Sequence, residues 1–298
     1  MTVFEIELRG PAGEPVDLRR TLLSHGTFSL PPAEIDEQGR VLEVALAVPG
    51  GPPRVVRVAG GAGVARVEVA GRPGGERALE ATLRRMLNMG EDLSGFYAIA
   101  ADDPELAWVT QGAGRMARSP SVFEDVVKTL ATTNCSWALT TTMIRALVER
   151  LGEPARGSGR RAFPTPEAMA SQPERFYREV VRAGYRAPHF VALSRSVADG
   201  SLDLEGLLDP DLPHEQVEAR LLALPGIGPY GAAHVALTLG RYERLILDSW
   251  TRPAFREMAG YRSQPKDSTI ERRFRRYGPW AGLAFWCLLT RGWAPDPG

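Results

Sequence analysis

Lysine is nearly absent. Lys128 and Lys266 are the only two in 298 residues, and every other basic side chain apart from four histidines is an arginine. Side-chain amine nucleophiles of the Schiff-base kind therefore have just two places to come from. Cysteine is equally scarce, with Cys135 and Cys287 far apart and His25, His189, His214 and His234 scattered along the chain. That leaves no cluster to hold zinc or an iron–sulfur centre and implies no disulfide framework, so neither metal nor other cofactor is expected. Net charge is lacking too: 36 basic residues balance 36 acidic ones. A polycation is excluded, and any contact with nucleic acid has to come from local patches. No apolar run is long enough to span a bilayer, so no membrane partner is expected. The opening "MTVFEIELRG" is acidic and alternating, unlike a signal peptide. A soluble cytoplasmic chain is the expectation.

What is present falls into two periodicities. Phe4, Ile6 and Leu8 alternate with Glu5, Glu7 and Arg9, and "VLEVALAV" (41–48), "RVVRV" (54–58) and "VARVEV" (64–69) are short and β-branched. The turn compositions "PGGPP" and "AGGAG" separate them, which predicts an antiparallel meander up to about residue 75. From Leu79 the apolar spacing becomes helical, with Leu79, Leu83, Met86 and Leu87, then Phe123, Val126, Val127 and Leu130. Ser119 or Ser121 is a plausible N-cap for the second of these helices. The predicted fold is α+β, with a small N-terminal antiparallel sheet (1–75) and a helical body (76–298) whose hairpin spans 221–235.

"LLALPGIGPYGAAHVAL" (221–237) places Pro and Gly between two apolar helices. The paired glycines are no dinucleotide site, since the third glycine is missing and helices rather than strands flank the turn. Pro225 resists continuation of the first helix. Gly226 and Gly228 permit left-handed torsions and close approach of another backbone, and Pro229 suits the first position of the next helix. The bare helix start can bind an anion such as a DNA phosphate, although an ordinary helical corner has the same composition. Shortly afterwards "LILDSWTR" (245–252) ends a buried-looking run at Asp248, an N-cap candidate for the following helix.

Taken together, the hairpin and Asp248 resemble the helix–hairpin–helix DNA glycosylases, whose pattern is a Leu-Pro-Gly-Val/Ile-Gly hairpin followed by an aspartate. "GYRA" within 184–187, the helices of 117–152 and the closing "RRFRRYGPWAGLAFWCLL" (272–289) extend the resemblance over most of 76–298. The sheet is similar, more loosely, to the N-terminal domain of the 3-methyladenine glycosylase II and 8-oxoguanine glycosylase branches. The resemblance implies base excision repair on double-stranded DNA containing damaged bases, by a monomer working at the bacterial nucleoid. Asp248 is the implied catalytic carboxylate, offsetting positive charge on the sugar of a flipped nucleotide. Bifunctional relatives carry a lysine two residues beyond the second hairpin glycine. Here that residue is Tyr230, which implies a monofunctional hydrolase that leaves an abasic site.

Other positions follow the same resemblance. Tyr230, Trp137, Trp250 and Trp286 are implied pocket aromatics, with Trp280 and Phe285 as further candidates. Gly226, Gly228, Gly231 and Arg252 are implied DNA contacts, as are Asn134, Tyr185 and Arg186, at positions that plug the vacated stack or meet the opposite strand. Each has a plain structural alternative: a cap for Asn134, core for Tyr185, a solvated guanidinium for Arg186, helix packing for Tyr230. The basic stretch Arg262, Lys266, Arg272, Arg273, Arg275 and Arg276 either tracks the DNA backbone or is a solvated face. Alkylated purines are the leading substrate class, because their positive charge already weakens the glycosidic bond. An oxidised-base glycosylase is the alternative, since "LLSHGTFSL" (22–30) is loosely similar to a base-contacting stretch of that branch. A non-catalytic helix–hairpin–helix DNA-binding protein ranks third.

Overall fold

The computed structural model describes residues 1–61, 63–71 and 74–294. Five antiparallel strands form one sheet: β1 (Thr2–Glu7), β2 (Glu34–Ile35), β3 (Val41–Val48), β4 (Gly51–Gly60) and β5 (Val64–Val69). Strands β2 to β5 follow one another as a meander, but β1 pairs with β5, which makes the order β1-β5-β4-β3-β2. The expected simple meander is corrected there. Ile6 lies opposite Ala65 in this pairing, and both are fully buried. Residues 8–33 loop out of the sheet through α1 (Leu18–Leu22) and a 3₁₀ turn (Gly26–Ser29), elements that no periodicity announces.

Thirteen α-helices are found among the described residues. After α1 come α2 (Glu76–Met86), α3 (Ser94–Ala101), α4 (Val122–Thr132), α5 (Trp137–Leu151), α6 (Pro166–Ala170), α7 (Glu174–Glu179), α8 (Ala187–Ala198), α9 (His214–Leu222), α10 (Pro229–Thr238), α11 (Thr251–Met258), α12 (Asp267–Phe274) and α13 (Ala281–Thr290). None of the described helices is long and apolar enough to cross a membrane. The predicted N-cap Ser121 opens α4, its Oγ accepting the Glu124 N–H.

Packing is organised around three apolar clusters. Ile6, Leu42, Val44, Val56, Val58 and Val67 of the sheet pack with Leu79, Leu83 and Met86 of α2, so the sheet's core continues past residue 75. A second core joins α4, α5, α8 and α9, and a third joins α3, α11, α12 and α13. Helix α10 supplies both: Val235 and Ala236 face one, Ala233 and Leu237 the other. From Gly231 to Thr238 every residue of α10 is buried, as expected for a helix apolar on all sides. The central helix of the body is thus the one whose N-terminus carries the hairpin. A buried ion pair pins the N-terminal loop to this body, Arg115 Nη2 to Glu14 Oε1 at 2.9 Å. Arg115 also donates to the Glu91 and Asn88 carbonyls.

Candidate active site

The hairpin performs the turn its residues predict, with one difference. Gly226 has φ 77°, and a Cβ there would stand 2.7 Å from Leu130 and 2.9 Å from His189. Only glycine fits. Gly228 is not left-handed, contrary to expectation. It is the extended N-cap of α10 (φ −100°, ψ −172°), a conformation open to any residue. A Cβ at Gly228 would meet nothing within 4 Å, so this glycine is demanded by no neighbour in the chain and leaves the outer face of the turn clear. Pro229 holds the first helical position, and the N–H groups of Tyr230 and Gly231 have no carbonyl one turn earlier to bond. Gly231 itself is buried, and a Cβ on it would sit 3.2 Å from Ile227 and 3.5 Å from Thr129. What it offers a phosphate is confined to its N–H.

Asp248 stands where the chain leaves the buried Ile246 and enters α11. Its Oδ1 accepts from Trp250 N at 2.8 Å and Thr251 N at 2.7 Å, while Thr251 Oγ1 accepts from Asp248 N at 2.8 Å. This is a reciprocal capping box, and it fixes the carboxylate's position. Both bonds fall on Oδ1, so Oδ2 is left without one among the described residues.

Asp248 lines a cavity of about 950 Å³. Its walls come from five places: Gly26 and Thr27 of the N-terminal loop, Thr132 to Thr140 around the start of α5, Tyr230 and His234 of α10, the 246–252 turn, and Trp286 with Trp293. Three indoles form one cluster, with ring centroids 5.8 Å apart for Trp250 and Trp286, 5.3 Å for Trp250 and Trp293, and 5.8 Å for Trp286 and Trp293. Trp286 is oriented by its Nε1–H, which donates to the Ser24 carbonyl at 2.7 Å. Tyr230 lies over the His234 ring, 6.0 Å away at 28°, and its hydroxyl is 3.2 Å from Thr132 Oγ1. Burial, with a smaller contribution from the Asp248 charge, pushes the Tyr230 phenol above its ordinary pKa, so it is present as OH. Tyr230 packs against the third core and also lines the cavity.

No family model matches this chain, and no curated protein does. Solved structures do. MBOgg1 in complex with a low-affinity DNA ligand superposes with TM-score 0.76 at 19% identity, over 98% of this chain and 96% of that one. The 3-methyladenine DNA glycosylase from Archaeoglobus fulgidus gives 0.73 at 20% identity, over 98% and 100%. The 8-oxoguanine glycosylase/lyase from Clostridium acetobutylicum, bound to DNA with cytosine opposite 8-oxoguanine, gives 0.73 at 18%, over 98% of each chain. This chain has the DNA glycosylase fold.

On that glycosylase fold the remaining predicted residues separate. Asn134, Tyr185 and Arg186 come together although some fifty residues part them in sequence. Asn134, held at φ 46°, donates from Nδ2 to the Tyr185 hydroxyl at 3.2 Å, and Tyr185 is half exposed. Arg186 is not the solvated guanidinium considered above. It is only 3% exposed, it donates from Nε to Thr133 Oγ1 at 3.0 Å, and it lies 4.5 Å from the Tyr185 ring centroid. Arg252 lines the cavity but is held by Asp267 in a two-pronged ion pair at 2.8 and 2.9 Å.

The basic stretch divides as well. Arg273 pairs with Glu105, Arg276 pairs with Asp103, and Arg262, Lys266, Arg272 and Arg275 are exposed. Neither lysine lines the cavity: Lys128 is buried on α4 against Glu124 at 2.7 Å, and Lys266 precedes α12. Trp137, Trp250 and Trp286 line the cavity, whereas Trp280 stacks on Phe96 and Tyr242 and Phe285 is core. Thr27, His234 and Trp293 were not anticipated. For Thr27 the "LLSHGTFSL" similarity was the available signal; Trp293 has none.

Proposed function

We propose that this chain is a monofunctional DNA N-glycosylase that flips a damaged purine, alkylated by preference, into the cavity and hydrolyses its C1′–N bond to leave an abasic site. The observation that carries the reading is Asp248: a carboxylate clamped through one oxygen by its own helix, with the other free beside an aromatic-walled cavity. As the base departs, positive charge develops at C1′, and a fixed anion there needs no rearrangement to stabilise it. The C1′–N bond breaks and the base leaves with the bonding electrons, while water bonds to C1′ and gives up one proton, by way of Asp248 Oδ2, to solvent. The first-turn N–H groups of α10, beside the unobstructed Gly228, suit a phosphate of the same strand. Asn134 and the half-exposed Tyr185, joined by a hydrogen bond, suit the gap left by the flipped nucleotide. The tyrosine at 230, with neither lysine among the residues that line the cavity, supports hydrolysis without strand cleavage. The indole and phenol faces suit an electron-poor alkylated ring.

Base release from duplexes carrying alkylated, oxidised or deaminated bases tests this, run with and without alkali on the natural chain and on Asp248→Asn. The expected result is strand breaks only after alkali, from alkylated duplexes, reduced about 10²–10³-fold in the variant. Breaks without alkali would overturn the hydrolase assignment. An oxidised-purine substrate is the second reading, favoured by Gly26 and Thr27, which belong to the "LLSHGTFSL" stretch and line the cavity; release from the oxidised duplexes alone would select it.

A further inference from the structure

One wall of the cavity is the end of a buried hydrogen-bond chain that the proposed reaction does not use. His25 Nε2 is 2.6 Å from the Ala117 carbonyl oxygen, His25 Nδ1 is 2.8 Å from Thr27 Oγ1, and Thr27 Oγ1 is 2.9 Å from His234 Nε2. All three side chains are at most 5% exposed. The direction of the chain follows from its fixed end. A carbonyl only accepts, so His25 Nε2 carries the proton; a neutral His25 then accepts at Nδ1 from the Thr27 hydroxyl. That hydroxyl oxygen in turn accepts from His234 Nε2–H. Burial supports the neutral state of both rings, holding His25 down to about 3 and His234 to about 4. His234 Nδ1 is therefore a bare lone pair, and it is buried without a partner among the described residues. Buried acceptors in folded proteins are nearly always paired. The ring carrying this one forms part of the cavity wall between Tyr230 and Trp286, with Nδ1 just beneath the surface, so that a base reaches it as the neighbouring side chains move aside.

We propose that His234 is a specificity-determining residue of the base pocket, locked by Thr27, His25 and the Ala117 carbonyl as the Nε2–H tautomer so that Nδ1 accepts a hydrogen bond from an N–H of the flipped base. The inference rests on the glycosylase reading above and narrows it to purines that offer an N–H donor on the edge meeting α10. A site built around an unpaired acceptor rejects the isostere that lacks the donor, since that ligand leaves the nitrogen buried and unsatisfied.

Imidazole ¹⁵N spectra of the full chain test this, because four histidines are few enough to assign with His189→Gln and His214→Gln. Free 3-methyladenine and 3-methylpurine, the same ring without the amino group, serve as probes, with binding read from tryptophan fluorescence. The expected spectrum at pH 7 shows His25 and His234 as neutral Nε2–H rings. 3-Methyladenine then shifts His234 Nδ1, and 3-methylpurine binds about tenfold more weakly without shifting it. Thr27→Val, which keeps the side chain's shape, mixes the tautomers and removes the tenfold preference. A charged or Nδ1–H His234 overturns the proposal. So does fluorescence-detected binding of 3-methyladenine without a shift, or no binding at all. Base release from duplexes, run beside the spectra, separates the two readings. Release with an unresponsive His234 refutes the specificity role alone, while a responsive His234 without release refutes the enzyme reading and keeps the base pocket.

Discussion

Acidification tests the buried histidine chain without reference to activity. Both rings are neutral in the folded protein, with His25 at about 3 and His234 at about 4 against an ordinary 6.5. A depressed imidazole favours folding above pH 6.5, and that stability is lost as pH falls toward the folded values, because only the unfolded chain takes up the protons. Integrating from pH 7 to pH 5 gives a loss of about 2 kcal/mol for each ring, about 4 kcal/mol for the pair. Asp125 works the other way. Burial raises its carboxyl from 3.8 to about 6, so its protonated form is favoured in the folded chain and acidification over the same range returns about 1 kcal/mol. The three groups together give a net loss of about 3 kcal/mol, a large part of the 5–15 kcal/mol typical of a folded protein. Urea unfolding at pH 5, 6 and 7, followed by tryptophan fluorescence, measures this. His25→Gln/His234→Gln should flatten the pH dependence, and Asp125→Asn should steepen it. Titrations shared by all the variants cancel in these differences. An unchanged slope in the double variant would mean that the rings are protonated or hydrated in the folded chain, and the tautomer assignment would fall with them.

The two hairpin glycines should respond in opposite ways. Gly226→Ala meets Leu130 and His189 at a left-handed φ and should lower stability by about 2 kcal/mol; Gly228→Ala should leave the melting temperature nearly unchanged and weaken duplex binding, and equal DNA affinities for Gly228→Ala and the natural chain would remove the phosphate assignment. At Asp248, Asn keeps a capping oxygen and Ala does not, so Asp248→Ala should cost about 1 kcal/mol in stability and Asp248→Asn much less, while both lose base release. Equal melting curves for the two would mean that the cap contributes nothing. Tyr230→Lys places an amine beside Asp248 and should allow borohydride trapping of a covalent protein–DNA adduct; failure to trap from a folded, DNA-binding variant would show that residue 230 does not reach C1′.

Legibility in the sequence followed the range of the interactions. The hairpin was readable because Pro225, Gly226 and Pro229 restrict φ locally, and Asp248 because a capping carboxylate needs only the next three residues. Gly228 shows where local reading stops: its composition suggests a left-handed turn, but its backbone is extended and no neighbour in the chain requires a glycine there. The strands announced themselves by alternation, yet β1 closing onto β5 spans the whole of residues 8–63 and left no mark on either segment. Arg186 looked like any exposed arginine, because the Thr133 hydroxyl that receives its Nε–H lies 53 residues away. Trp280 and Trp286 have the same chemistry and almost the same address. Trp280 ends the 3₁₀ turn before α13 and Trp286 lies within that helix, and only tertiary packing leaves one indole stacked on Phe96 and the other hydrogen-bonded to Ser24 at the cavity. The histidine chain is the extreme case. Thr27 and His234 are 207 residues apart, and neither had a local reason to be singled out as a proton-ordered pair. What a single sequence shows of a site like this one is its backbone machinery, the turn and the cap. The side chains that line the cavity arrive from the N-terminal loop, α10 and the C-terminal helix, and only folding brings them together.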